Sequence, residues 1–260
     1  MSERSLQDRW ATLQHEGRTA LIPYLTAGYP SHDLSLDALR MVVDAGADFV
    51  EVGIPFSDPL ADGPVIQHST HQALVNGMSV PGVLELVAEA RLDVPVIAFG
   101  YLNPLLAYGI DRFLRDATEV GVHGLLLTDL PLGEDQTIED QVRSSALSWI
   151  PLVAPTTEPE RAKRVLKGAD GFVYVISRMG VTGAQTELDD QVEDVVTRVR
   201  GWTDLPVALG FGIATGAQAA VAARYADGVV VGSALVRALD DGLESTRHLM
   251  VELRAAIDAL

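Results

Sequence analysis

The 260 residues contain no cysteine. That excludes disulfides, thiolate nucleophiles and thiolate metal sites together, so packing alone must hold the fold. Lysine is nearly absent as well. Lys163 and Lys167 are the only two, and both fall in a helical stretch rather than at the end of an apolar run. A Schiff-base mechanism and covalent attachment of pyridoxal phosphate therefore have no residue to use. Positive charge is short overall: 19 Lys and Arg face 36 Asp and Glu, for a formal charge of -17. Such a balance opposes binding to a phosphate backbone, and nucleic acid is not expected as a partner. No window approaches the roughly 18 apolar residues of a membrane span, and MSERSLQDRW carries no signal-like apolar stretch. A cytoplasmic protein with no membrane association is expected.

What the chain does have is a rhythm. Short β-branched runs recur about every 25–35 residues, each followed by an Ala/Leu/Arg/Glu-rich stretch with helical spacing. Strands are expected at Leu21–Thr26, Phe49–Val52, Val96–Phe99, Gly124–Thr128, Ser148–Leu152, Gly171–Ile176, Pro206–Leu209 and Gly228–Val231. Eight nearly continuous apolar strands suit a closed parallel barrel buried on both faces. Helices are expected to start at Asp33, Asp111 and Glu158-Pro159 and to end near Gly46, Gly121 and Gly168. An amphipathic segment near Ser5–His15 would cover the barrel floor, and Glu244–Ala259 would close the ring of helices. No Pro/Ser-rich linker interrupts the pattern, so the expectation is a single α/β domain over 1–260, a TIM (β/α)8 barrel with an extra N-terminal helix. A doubly wound open sheet shows the same alternation, but no GxGxxG turn accompanies it here.

In a barrel, chemistry sits where polar residues end the apolar runs. Glu51, inside Asp48-Phe49-Val50-Glu51-Val52-Gly53, shares a face with Phe49 by period-two alternation. If that face is the interior, burial raises the carboxyl pKa toward the range of a proton donor at neutral pH; if not, Glu51 is a solvated rim residue. The stiff loop Gly53–Pro64 follows, with Asp58 and Asp62 each available as a second carboxylate or as a turn former. The loops Leu209–Thr215 and Asp227–Ala234 each join a strand end to glycines and a helix start. Gly212, Gly232 and Ser233 can there hold a phosphate on backbone N–H groups. A third glycine loop, Ser177–Thr186, is long enough to be a lid carrying Thr182 and Gly183. Tyr174 ends the strand before it. His68 and His71 share a helix face but lack a third ligand, so no metal is expected.

Three of these segments carry a resemblance. Pro23–Pro30, Val50–Gln67 and Tyr174–Gly183 resemble the signature segments of tryptophan synthase alpha chains, and the similarity runs in order to the Gly232-Ser233 loop. The resemblance implies cleavage of indole-3-glycerol phosphate to indole and glyceraldehyde 3-phosphate, a lyase step in tryptophan biosynthesis that needs no cofactor in this chain. It implies Glu51 and Asp62 as catalytic residues, Glu51 shuttling protons and Asp62 receiving the indole N–H. Gly183, Gly212, Gly232 and Ser233 would bind phosphate, with Phe211 and Tyr174 nearby. Tyr24, Tyr101 and Leu126 would line the indole. It also implies a partner, a pyridoxal-phosphate-dependent beta subunit in an α2β2 heterotetramer, met near Asp58-Pro59 and Asn103-Pro104, with the Thr182 loop closing over substrate. Related barrels of the same pathway would need a lysine acid or a cysteine base at positions this chain lacks. A non-catalytic stimulatory subunit of the beta chain is the alternative.

Overall fold

The computed structural model describes residues 5–130, 135–176, 185–210 and 212–260, with the side chains of 185–191 left aside. The chain begins with α1 (Leu6–Glu16) and β1 (Ala20–Thr26), then α2 (His32–Asp44) and β2 (Val50–Gly53). Next come α3 (Pro64–Val75), α4 (Val80–Ala90), β3 (Val96–Gly100), α5 (Leu102–Tyr108), α6 (Ile110–Glu119) and β4 (Val122–Leu127). The second half runs α7 (Gln136–Arg143), β5 (Ser148–Trp149), β6 (Leu152–Val153), α8 (Pro159–Leu166), β7 (Val173–Ile176) and α9 (Gln185–Arg200). It ends with β8 (Val207–Gly210), α10 (Gly216–Tyr225), β9 (Gly228–Val231), α11 (Ser233–Asp240) and α12 (Leu243–Asp258).

All strand pairings are parallel, in the order β5-β4-β3-β2-β1-β9-β8-β7-β6. The nine segments make eight barrel strands, because β5 and β6 are halves of one run. Pro151 has no N–H to give a ladder, and the run breaks around it. Ile150 N–H still reaches Leu125 O at 3.0 Å, and Tyr174 N–H reaches Pro151 O at 2.9 Å, which closes the ring. The expected strand at Ser148–Leu152 is thus present but interrupted. The fold is the TIM barrel that the alternation implied, with helices packed around a parallel sheet.

Two helix starts differ from expectation. Ser31, not Asp33, caps α2, its side chain accepting Leu34 N–H, and Asp33 sits in the first turn. Asp111 likewise lies in the first turn of α6, which opens at Gly109. A carboxylate in the first turn still favours the positive end of the helix dipole. Glu158 opens α8 before Pro159, as the sequence suggested.

The floor determines what the barrel mouth can do. Helix α1, capped by Ser5, drives Leu6, Trp10 and Leu13 into the interior cluster with Ile22, Phe49, Ile97, Leu126, Ile150 and Phe172. Trp10 stacks on Phe49 at 4.7 Å between ring centroids and meets Phe172 at 5.5 Å. Glycines make the room: a Cβ at Gly124 would lie 2.8 Å from Leu6 Cδ1, and one at Gly228 would lie 2.9 Å from Trp10. The plug is anchored by Asp48, which is fully buried just before β2. Its carboxylate accepts Leu21 N–H at 2.9 Å, Arg254 at 3.0 Å, Arg18 at 3.0 Å and Arg9. A buried carboxylate with that many donors is compensated for its lost hydration, and removal of one partner would leave the rest uncompensated.

Candidate active site

The register of β2 decides the first question left by the sequence. Phe49 belongs to the cluster inside the barrel, and Glu51, two residues on, points the same way. Glu51 is 0% exposed, and among the described residues neither carboxyl oxygen has a hydrogen-bond partner. Burial alone lifts its pKa from 4.5 to about 8, since an apolar cavity disfavours the ionised form. The side chain is therefore neutral at pH 7 and able to give a proton.

Asp62 hangs from the loop between β2 and α3. Burial raises it from 3.8 to about 6, while a hydrogen bond from Tyr101 works the other way. At pH 7 it carries charge. Two carboxyl groups near one mouth thus hold opposite protonation states, which separates an acid from an anionic stabiliser. Asp58, offered by the sequence as another possibility, is exposed; its carboxylate accepts the Ser57 hydroxyl and stays outside the mouth.

Aromatic rings line the space between. Tyr24 in β1 pairs in register with Glu51, and its ring meets Phe99 edge-on at 5.2 Å; Phe99 in turn faces Tyr174 at 6.4 Å. Tyr24 lies across Gly53, where a Cβ would run into its hydroxyl, and Tyr174 lies across Gly210 in the same manner. Burial raises both phenols far above their usual range, and the charges of Glu51 and Asp62 add to that, so both stay protonated. Leu126 is fully buried in the interior, level with Phe99 in the ladder. Two residues that the sequence reading passed over complete the wall: Thr26 is 3.4 Å from the Tyr24 hydroxyl and 2.7 Å from Ser69 of α3. Strand alternation alone would have singled out Phe99; nothing in the sequence pairs Thr26 with Ser69.

The two glycine loops turn out not to be equivalent. At the start of α10 three N–H groups beyond Gly212 are already taken: Thr215 accepts from Gln218 N, Glu252 from Gly216 N at 2.7 Å, and Gln218 from Ala214 N at 2.8 Å. At the start of α11, Gly232 and Ser233 have no side-chain cap among the described residues. Open N–H groups and the helix dipole point there at whatever enters. Gly232 also rests against the Tyr24 ring, where a Cβ would lie 3.6 Å away, so the anion-ready helix adjoins the aromatic wall. Gly212 holds a φ of +66°, a conformation that favours glycine. Phe211, Thr182 and Gly183 lie outside the described residues. His68 packs edge-on against Tyr29 at 6.2 Å.

A parallel barrel with a dry carboxylic acid, an anionic partner and an uncapped helix start at its C-terminal mouth defines a class: a barrel enzyme doing acid–base chemistry on a phosphorylated substrate. Comparison with known proteins narrows it. Residues 10–259 match the family described as the tryptophan synthase alpha chain. The chain is 47% identical over 240 residues to the tryptophan synthase alpha chain of Gluconacetobacter diazotrophicus, covering 91% of this chain and 88% of that one. It is 43% identical over 252 residues to the tryptophan synthase of Saccharomyces cerevisiae, and there spans only 36% of the longer protein. Among solved structures, a Mycobacterium tuberculosis tryptophan synthase superposes with a TM-score of 0.88 at 38% identity, covering 99% of this chain and all of that one. The Legionella pneumophila tryptophan synthase subunit alpha gives 0.91 at 34% identity, with both chains fully covered. The chain belongs to the tryptophan synthase alpha chain family, whose reaction is the lyase cleavage of indole-3-glycerol phosphate and whose alpha chain needs no cofactor.

Proposed function

We propose that this chain, as one catalytic domain over 1–260, cleaves indole-3-glycerol phosphate with Glu51 as the proton shuttle and Asp62 as the charge stabiliser. The observation that carries the assignment is Glu51: fully buried, without a hydrogen-bond partner among the described residues, and neutral at the pH where a donor is needed. Its proton goes to indole C3, and the ring nitrogen becomes positive. Asp62, ionised, accepts the N1–H and offsets that charge. Glu51, now a carboxylate, takes the proton from the side-chain hydroxyl as the carbon–carbon bond breaks. The electron pair returns to the ring, the aldehyde leaves, and Glu51 ends as it began.

Gly212, Gly232 and Ser233 hold the phosphate on N–H groups, with Gly183 and Phe211 completing the grip and Thr182 closing over it. Tyr24, Tyr101 and Leu126 line the indole, and Tyr174 stands near the phosphate. A beta subunit carrying pyridoxal phosphate is the proposed partner, in a cytoplasmic α2β2 assembly, docking at the mouth. Leu60, 90% exposed beside Asp62, and Leu106 in α5 supply apolar surface there. The test is indole release from indole-3-glycerol phosphate by the purified chain, alone and with a beta subunit. Release that is accelerated by the partner is expected; no release in either condition refutes catalysis and leaves a stimulatory role.

A further inference from the structure

Asp62 sits on a loop, and a loop carboxylate that must meet an indole N–H needs to be held in place. Two side chains from different elements hold this one. Tyr101, between β3 and α5, is buried and packs against Phe56 with 5.3 Å between ring centroids. Its hydroxyl oxygen accepts Ala61 N–H at 3.0 Å, and the hydroxyl stands beside the Asp62 carboxyl, whose ionised form it favours. From the opposite side Gln67, one turn into α3, donates its amide to Asp62 O at 3.0 Å and Pro59 O at 3.4 Å. One residue therefore holds the backbone before Asp62 and stands beside its carboxyl, and the other holds the peptide after it. A phenol donates one hydrogen bond and accepts two, so a tyrosine that receives Ala61 N–H still has its proton for the carboxylate.

Resting on the functional reading above, we infer that Tyr101 and Gln67 are positioning residues that clamp Asp62 in register with the indole, Tyr101 by its hydroxyl rather than its ring. The titratable groups facing Asp62 are Tyr24 from β1, Glu51 from β2, Tyr101, and Tyr174 from β7. Tyr24 and Tyr174 are protonated and uncharged where Asp62 titrates, and it is the Asp62 charge that raises them. The Tyr101 hydroxyl stands beside the Asp62 carboxyl and favours the ionised form. Gln67 touches main-chain carbonyls alone, so the two halves of the clamp have different signatures.

The experiment uses the full chain and two conservative variants. Tyr101→Phe keeps the ring and removes the hydroxyl; Gln67→Met keeps length and removes the donor. The Asp62 carboxyl is titrated by carbon-13 NMR in each, which reads the clamp without relying on turnover. In Tyr101→Phe the titration midpoint is expected to move up, and in Gln67→Met to stay. In steady-state assays Tyr101→Phe is expected to lose roughly 10- to 100-fold in kcat, the range for a hydrogen bond to a charged group, and Gln67→Met roughly 3- to 10-fold, the range for a bond to a neutral carbonyl, with KM within about threefold in both. The acidic limb of the pH profile should move up in Tyr101→Phe alone. An unmoved Asp62 midpoint in Tyr101→Phe, or kcat within about twofold of wild type in both variants, overturns the clamp. Asp62→Asn run alongside tests the functional reading separately: if it keeps turnover, the role of Asp62 falls, while the NMR result still judges what holds the carboxylate.

Discussion

Replacing Glu51 with Gln should inactivate the protein and stabilise it, and the size of the second effect follows from the buried carboxyl. In the unfolded chain an ordinary glutamate ionises at 4.5; in the barrel Glu51 keeps its proton to about 8. Between these values the native state binds one more proton than the unfolded state, so stability falls as pH rises. At about pH 7 folding must return a proton held 2.5 pH units below ambient, costing about 3 kcal/mol at ~1.4 kcal/mol per unit. Glutamine has no such cost. The stability difference between Glu51→Gln and wild type should therefore widen by about 3 kcal/mol from about pH 4.5 to about pH 7. It should stop widening above about pH 8, where the native carboxyl ionises too. Urea unfolding at several pH values measures this, and the constant offset from burying an amide in place of a neutral acid cancels in the pH dependence. Turnover should fall about 10²–10⁴-fold in the same variant. A stability gap that is flat with pH would show that Glu51 ionises normally in the folded protein, and the dry-acid mechanism would go with it.

Three other outcomes follow. The kcat/KM profile of the wild-type chain should be bell-shaped, with limbs near 6 and 8: activity falls below the first as Asp62 gains a proton and above the second as Glu51 loses one. A profile flat from about pH 5 to about pH 9 contradicts both assignments. Gly232→Asp should raise KM steeply and weaken binding of glycerol 3-phosphate, read by calorimetry, because it sets a carboxylate at the uncapped start of α11; normal binding would mean the phosphate goes elsewhere. Trp10→Ala should lower stability by about 3–5 kcal/mol in chemical unfolding, as for other buried aromatic truncations, and a loss under about 1 kcal/mol would mean that α1 adds little to the core.

Most of the fold was legible because a parallel barrel writes its strands as unbroken apolar runs. Val96–Phe99 and Gly228–Val231 needed no more than that. The break at Pro151 was the exception: Ser148–Leu152 reads as one strand, yet a residue without an N–H cannot continue its ladder. Ser31 and Asp33 are both good N-caps two residues apart, and the choice between them is made by backbone geometry that composition does not carry. Glu51 is a harder case. Val50 and Val52 would suit either face of β2, and only the packing of Phe49 on Trp10, from a helix 39 residues earlier, shows which face is inside. The two glycine loops look alike in sequence because the groups that fill the start of α10 include Glu252, remote from it along the chain. Similarly, Tyr101 reads as one more aromatic at a strand end; its bond to the Asp62 loop exists only once β3 and α3 are brought together.

The plug formed by α1 also closes the site from below. Trp10 lies beneath Phe49, and Phe49 lies beneath Glu51, so the path by which water would rise from below is filled with rings. The acid strength of Glu51 is in that sense set from the far side of the protein, by a helix that touches neither substrate nor catalytic group. A chain shortened past Leu13 would lose more than stability. Solvent would enter beneath the carboxyl, the proton would leave at an ordinary pH, and a barrel still able to grip phosphate would have no acid to use.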